Sequence, residues 1–103
     1  MKNLSKVIFL AILAASATAA IAQAPDNYKT KCQMCHGADG LGGTPAGKAM
    51  GAHPFNSPAV IKESDADLIA VITNGKAKMP AYAGKLTAGE IKDLAAYIRT
   101  LQK

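Results

Sequence analysis

Five consecutive residues carry the chemistry that this sequence offers. They read Cys32-Gln33-Met34-Cys35-His36, which has the spacing C-x-x-C-H. Two thiols one helical turn apart can add across the two vinyl groups of a haem, and the histidine that follows can present its imidazole to the iron. We therefore predict one covalently bound haem c, attached through Cys32 and Cys35 and ligated by His36.

Other uses of the cysteine pair fit the sequence less well. A thioredoxin-like redox pair belongs to a βαβ unit, and no strand pattern flanks this motif. A structural zinc site usually takes its four ligands as two closely spaced pairs, whereas this chain has one C-x-x-C pair, with His36 and His53, and no second pair. A disulfide across two intervening residues would be strained and would close almost no loop. Haem attachment is the preferred interpretation.

The iron of a haem has a second axial position, and Met79, Met50 and His53 compete for it. Met34 lies inside the attachment motif and cannot reach the opposite face. Met79 follows a predicted helix that can carry the chain across the haem, and Pro80 stiffens the turn that presents it. For these reasons we predict Met79 as the sixth ligand. Its soft thioether would raise the potential above that of bis-histidine ligation. Ligation by His53 is the alternative.

Residues 1–22 read as a secretory signal peptide. Lys2 and Lys6 precede a short apolar stretch that ends in the small-x-small pattern Ala20-Ile21-Ala22. This stretch is shorter than the roughly 20 residues that span a bilayer. We therefore predict cleavage after Ala22, export to a Gram-negative-type periplasm, and a monohaem domain formed by residues 23–103.

The composition of the mature chain also calls for a cofactor. Cleavage would leave 81 of the 103 residues and lower the net charge from +5 to +3. There is no Trp, and few aromatic side chains remain, so the domain can bury little apolar area. Domains of this size commonly depend on a disulfide, a metal or a cofactor. Basic residues are not interleaved with aromatic ones, so nucleic-acid binding is not predicted.

Three principal helices must position the motif, and the sequence predicts them at residues 26–34, 65–74 and 88–101. Capping boxes at Ser64 and Thr87 begin the second and third helices. Apolar side chains recur at helical spacing along the third helix, and its charged positions, Arg99 among them, are predicted to face outward. No strand pattern appears, so the predicted fold class is all-α.

The long segment between the first two helices, residues 37–63, shows little periodicity. It holds six glycines between Gly37 and Gly51, and three prolines. Glycine permits close approach of the backbone to a flat porphyrin and dihedral angles that other residues avoid. We predict an irregular loop wrapped around the haem.

The sequence resembles the class I c-type cytochromes, of the short, soluble, bacterial monohaem type. The resemblance covers nearly all of residues 23–103 and rests on the following residues: Tyr28, the Cys32–His36 motif, Gly37 and the glycines after it, Pro45, Asn74-Gly75, Lys78-Met79-Pro80 and Tyr97. It implies the cytochrome c fold, with Tyr28 and Tyr97 near a crossing of the first and last helices. It also implies that a proline carbonyl holds the haem-ligating imidazole, a role that Pro45 fits.

The predicted function is that of a monomeric electron carrier that is not an enzyme and has no stable membrane insertion. A haem ligated by His36 and Met79 has no open site for a substrate. Lys76, Lys78 and Lys85 predict a positive rim that steers redox partner proteins with acidic docking surfaces. The alternatives are a small haem subunit of a redox enzyme complex and a haem protein with a displaceable sixth ligand.

Overall fold

The computed structural model describes residues 23–103, and within that range the chain is helical. No helix in this part of the chain is long and apolar enough to cross a bilayer. The predicted all-α class is confirmed, whereas the predicted signal peptide lies outside the described residues. The helices are α1 Ala24–Lys31, α2 Gln33–His36, α3 Pro45–Met50, α4 Pro58–Ile61, α5 Asp65–Asn74 and α6 Ala88–Thr100.

Helices α5 and α6 begin at the capping boxes that the sequence predicts. Ser64 Oγ accepts a hydrogen bond from the amide of Asp67 at 3.1 Å, and the Asp67 carboxylate accepts one from the amide of Ser64. Thr87 and Glu90 form the same reciprocal pair at 3.1 and 2.9 Å. Each box satisfies amides that the first turn of a helix leaves without partners. Helix α5 ends at Gly75, as predicted.

The first predicted helix is in fact two. Helix α1 begins two residues earlier than predicted and ends at Lys31, and α2 begins at Gln33. At the break, the amide of Cys35 donates to the carbonyl of Cys32 at 3.3 Å and not to that of Lys31. Such an i→i−3 bond tightens the turn. The attachment motif therefore begins at a helix break, which leaves the carbonyl of Lys31 without its helical partner.

The loop predicted over residues 37–63 contains two short helices, α3 and α4. Thr44 caps α3, because its Oγ1 accepts a hydrogen bond from the amide of Gly47 at 2.9 Å. Ser57 precedes α4, and each helix has a proline at its first position, where the fixed φ suits a helix. Both helices are too short to display an apolar repeat, so periodicity could not predict them.

The core forms where α6 packs against both α1 and α5. Leu94 of α6 and Tyr28 of α1 are its most deeply buried large side chains. The ring of Tyr28 also lies 5.1 Å from that of Tyr97, which confirms the predicted contact between the first and last helices. The other buried side chains of this cluster are apolar: Phe55, Leu68, Ile72, Leu86, Ile91, Ala95 and Ile98.

Arg99 is not directed outward as predicted. Its side chain is 28% exposed and forms a salt bridge of 3.0 Å with Asp65 at the start of α5. The guanidinium also donates to the backbone carbonyl of Glu63. Arg99 thus ties the end of α6 to the start of α5. The period of α6 could not reveal this role, because both partners lie more than 30 residues away in sequence.

Candidate functional site

Cys32 and Cys35 are free, half-buried thiols at the junction of α1 and α2. Burial raises the pKa of Cys32 to about 11, against the opposing effect of the Lys31 charge. Cys32 is therefore a neutral thiol at physiological pH. Within residues 23–103, no cluster of three or more His, Cys, Asp or Glu side chains is arranged to hold a metal ion.

His36 ends α2, and its imidazole lies against the ring of Phe55. The ring centroids are 4.7 Å apart, with an angle of 27° between the planes. Burial lowers the pKa of His36, so the ring is neutral, which is the form that binds a metal. Its Nδ1 is buried and has no hydrogen-bond partner in the structure.

The hydrogen bond expected between His36 and the carbonyl of Pro45 is thus absent from this structure. Pro45 is the first residue of α3. At that position a carbonyl is directed along the helix axis toward the amide four residues later. The role of Pro45 beside a bound haem therefore stays a prediction.

Tyr28 fixes the chain directly after His36. Its hydroxyl donates to the carbonyl of Gly37 at 2.5 Å, and its side chain is only 1% exposed. Burial raises the pKa of Tyr28, so the phenol keeps the proton that it donates. A hydroxyl buried in this way needs a partner, and the Gly37 carbonyl is that partner. The resemblance placed Tyr28 near the crossing of the first and last helices and did not indicate this hydrogen bond.

Helix α3 lies directly on the backbone of α2, and Gly47 permits this approach. A Cβ atom placed on Gly47 would overlap the carbonyl oxygen of Cys35 and lie 2.6 Å from that of Gly42. Thr44 adds a hydrogen bond from its Oγ1 to the carbonyl of Met34 at 2.6 Å. The glycine-rich segment therefore packs on the attachment motif itself.

Met79 lies in a tight turn after α5. The backbone groups of Lys76 and Met79 bond to each other at 3.2 and 2.9 Å, and Ala77 between them has a left-handed φ of 52°. Gly75 leaves room for the turn, since a Cβ atom there would lie 2.7 Å from the carbonyl oxygen of Met79. The Met79 side chain is half-buried and packs against the core.

The two competing candidates for the sixth ligand are placed differently. Met50, at the end of α3, is 51% exposed, and His53 lies exposed in the loop that follows. Met79 and Cys32 both pack against the same core cluster. Of the three candidates, Met79 is thus the one that packs against the same core cluster as the attachment motif.

Tyr82 is a residue of this site that the sequence analysis missed. Its hydroxyl donates to the carbonyl of Lys31 at 2.7 Å. Its pKa is raised by burial and, to a smaller extent, by the charges of Cys32 and Cys35. The available signal was an isolated aromatic residue three positions after Met79.

Exposed lysines surround the turn that carries Met79. Lys76, Lys78 and Lys85 are all exposed, and the ammonium of Lys85 lies 5.7 Å from the centre of the Tyr82 ring. No acidic residue occurs in the sequence between Asp67 and Glu90. This segment therefore carries positive charge without local neutralisation.

Comparison with known proteins points to the family that the sequence resembles. Residues 19–98 match the family described as cytochrome c oxidase, cbb3-type, subunit III. Cytochrome c6 of Leptolyngbya boryana is 30% identical over 74 residues, which cover 69% of this chain and 80% of the relative. Cytochrome c6 of Thermostichus vulcanus is 31% identical over 95 residues, covering 88% and 79%.

A solved structure agrees with these sequence matches. The KustC0563 c-type cytochrome superposes with a TM-score of 0.71 at 33% identity, over 77% of this chain and 96% of that one. The predicted cytochrome c fold and covalent haem c are confirmed, and the chain functions as a haem c electron carrier. It belongs to the class I c-type cytochromes, in the family described by subunit III of cbb3-type cytochrome c oxidase.

Proposed function

We propose that this chain is an exported, periplasmic electron carrier whose haem c is attached to Cys32 and Cys35 and ligated by His36 and Met79. The observation that carries the proposal is the grouping of two free thiols and a neutral imidazole within five residues, beside the core that also holds Met79. The bound haem supplies one-electron chemistry at its iron. The chain supplies the ligands and their orientation.

His36 binds the iron through Nε2. Its Nδ1 is enclosed by protein, which leaves Nε2 for a metal. The stack on Phe55 restricts rotation of the ring, so the direction of the ligating nitrogen is set before haem is attached. A fixed and neutral imidazole needs little reorganisation when it ligates a metal.

Met79 would supply the second ligand to the iron, and this argues against catalysis. With both positions occupied by side chains of this chain, no coordination site remains open for a substrate. A thioether also favours ferrous iron and a higher potential than a second imidazole would give. Transfer of single electrons between redox proteins, without catalysis, is the function that suits this ligand set.

Replacement of Met79 tests this ligation. Met79→Ala should abolish the thioether-to-iron charge-transfer band of the ferric protein and lower the reduction potential by about 100 mV or more, because axial ligands are a main lever on haem potential. Met50→Ala and His53→Ala serve as controls and should leave both properties unchanged. Loss of low-spin character in His53→Ala, with Met79→Ala unaffected, would establish bis-histidine ligation instead.

Export rests on the predicted signal peptide, residues 1–22, and on the covalent attachment of haem outside the cytoplasm. Expression of the full chain with haem-attachment machinery should give a coloured periplasmic protein that begins at Gln23. Its colour should persist through acid–acetone extraction, since the haem is bound covalently. A colourless product from competent cells would contradict attachment, and a coloured product that retains residues 1–22 would contradict cleavage.

Partner docking is proposed to use Lys76, Lys78 and Lys85, which face acidic groups on the partner. Surface charges are screened beyond about 8 Å at physiological ionic strength, so the rate of electron transfer to an acidic redox protein should fall as salt rises. The double variant Lys76→Gln/Lys78→Gln should flatten this dependence. Lys92→Gln, an exposed position on α6, is the control. A flat profile for the unmodified protein would exclude electrostatic steering.

A second candidate function is that of a haem subunit within an oxidase-type complex. The description of the matching family, subunit III of a cbb3-type oxidase, favours it. Size-exclusion chromatography of the native periplasmic and membrane fractions distinguishes the two. A free carrier elutes as a monomer of the mature mass, whereas a subunit co-elutes with the other chains of the complex.

A further inference from the structure

We propose that Tyr82 is a positioning residue for the sixth ligand: its hydroxyl ties the segment that carries Met79 to the helix that precedes the cysteines. This inference rests on the proposed ligation by Met79. It concerns how firmly the ligand is held, a property that the identity of the ligand alone does not determine.

The turn that carries Met79 is weakly connected to the rest of the protein. Its backbone hydrogen bonds join Lys76 and Met79 only to each other. Within the described residues, the chain after this turn first bonds to another element at Tyr82, whose amide donates to the carbonyl of Ile72 at 3.0 Å. The next amide, that of Ala83, donates to the carbonyl of Thr73 at 3.0 Å. Tyr82 is thus the first residue after the turn whose backbone attaches the Met79 segment to another element.

The side chain of Tyr82 adds a second anchor on a different element. Its hydroxyl donates to the carbonyl of Lys31 at 2.7 Å, across 51 residues of sequence. That carbonyl lacks a helical partner, because α1 breaks at Cys32 and the amide of Cys35 bonds elsewhere. The carbonyl at the end of α1 is thus available as an acceptor, and the Tyr82 hydroxyl occupies it at the protein surface.

The geometry places this bond between the two halves of the site. Lys31 directly precedes Cys32, and Tyr82 follows Met79 by three residues. The side chains of Cys32, Met79 and Tyr82 all pack against one core cluster. Loss of the hydroxyl would leave the Met79 segment hydrogen-bonded only to the end of α5 and held near the cysteines by packing alone.

The test measures how easily an added ligand displaces Met79. Imidazole is titrated into the ferric, haem-loaded protein, and its dissociation constant is read from the loss of the charge-transfer band. Tyr82→Phe keeps the ring and removes only the hydroxyl. It should bind imidazole about fivefold more tightly, the effect of one neutral hydrogen bond that holds the displaced segment.

Two control variants separate this effect from a loss of overall stability. Tyr97→Phe removes a hydroxyl that makes no hydrogen bond to the described residues. Ile98→Val trims a buried side chain of α6, outside the Met79 segment, and lowers the free energy of unfolding. Both should bind imidazole as the unmodified protein does.

The outcomes distinguish the inference from the proposed function. An unchanged imidazole affinity in Tyr82→Phe, or an equal gain in Ile98→Val, would overturn the role of Tyr82 while leaving ligation by Met79 intact. If the unmodified ferric protein has no charge-transfer band, ligation by Met79 fails first, and the inference falls with it.

Discussion

The imidazole of His36 and the ring of Phe55 are stacked, with centroids 4.7 Å apart and planes inclined by 27°. Phe55 is 7% exposed and its other contacts belong to the core, including an edge-on contact with Tyr28 at 6.3 Å. The amide of Phe55 donates to the carbonyl of Gly40 at 2.8 Å. Phe55 thus connects the loop after α3, the core and His36, the proposed haem ligand.

Replacement of Phe55 should therefore lower the stability of the fold. Phe55→Ala should lower the free energy of unfolding by about 3–5 kcal/mol, as expected for a buried phenylalanine. Denaturant unfolding of the haem-loaded protein measures this. Ile61→Ala, at a side chain that is 51% exposed, should change it by less than about 0.5 kcal/mol. Equal effects of the two substitutions would refute the packing role of Phe55.

Gly75 and Gly84 provide a matched pair around the Met79 segment. Both have a positive φ, 76° and 81°, so alanine is strained at either position. A Cβ atom at Gly75 would press on the Met79 carbonyl at 2.7 Å, whereas one at Gly84 meets nothing within 4 Å. Gly75→Ala should weaken the thioether charge-transfer band and lower the potential. Gly84→Ala should lower stability modestly and leave the spectrum unchanged.

A spectrum that changes equally in the two glycine variants would mean that backbone strain, and not displacement of Met79, is the cause. Absorption spectra and potentiometric titrations of both proteins decide between these causes. The pair isolates the steric effect because only one of the two glycines contacts the ligand-bearing segment.

The features predicted correctly from the sequence are those fixed by neighbouring residues. The capping boxes at Ser64 and Thr87 each depend on a residue three positions away, and the helix end at Gly75 depends on one residue. The haem motif is local for the same reason, since its thiols and imidazole must share one turn. Short-range geometry of this kind can be read directly from residue types and spacing.

The features that the sequence did not reveal depend on contacts distant in sequence. The bond from Tyr82 to Lys31 joins residues 51 positions apart, and its acceptor exists because α1 breaks at Cys32. Arg99 likewise binds two groups that are distant in sequence, the carboxylate of Asp65 and the carbonyl of Glu63, near the start of α5. The spacing of residues along one helix does not show whether a second element packs over its outward face.

Glu90 should make stability depend on pH in the acid range. Its pKa is lowered, chiefly by the hydrogen bond from the backbone amide of Thr87, and Asn27 of α1 donates to the same carboxylate at 3.3 Å. A lowered pKa means that the ionised form stabilises the fold above the unfolded value of about 4.5, and that this contribution is lost as pH falls through the folded value.

Unfolding of Glu90→Gln as a function of pH measures this contribution. The unmodified protein should be the more stable of the two at neutral pH, and the difference should shrink below about pH 4.5. Glu63→Gln is the control, because the Glu63 side chain makes no hydrogen bond among residues 23–103, and it should change the free energy of unfolding by less than about 0.5 kcal/mol. A difference for Glu90→Gln that stays constant to low pH would contradict the role of the ionised cap.

Gly47 determines whether α3 can lie on the attachment motif, and a second helical glycine provides its control. A Cβ atom at Gly47 would overlap the carbonyl oxygen of Cys35, whereas one at Gly89 in α6 has its nearest neighbour at 3.9 Å. Alanine in place of a helical glycine otherwise stabilises by about 0.5–1 kcal/mol. Gly89→Ala should therefore raise the free energy of unfolding slightly.

Gly47→Ala should lower the free energy of unfolding despite the gain in helix propensity, because backbone atoms on both sides cannot move aside as a flexible side chain would. The expected loss is about 1–3 kcal/mol, typical of overpacking. Since the clash falls on Cys35, the yield of covalently attached haem should drop as well, which mass spectrometry of the exported protein measures. Should Gly47→Ala match Gly89→Ala in stability and haem content, α3 does not need to contact the motif, and the packing described for this glycine has no part in haem attachment.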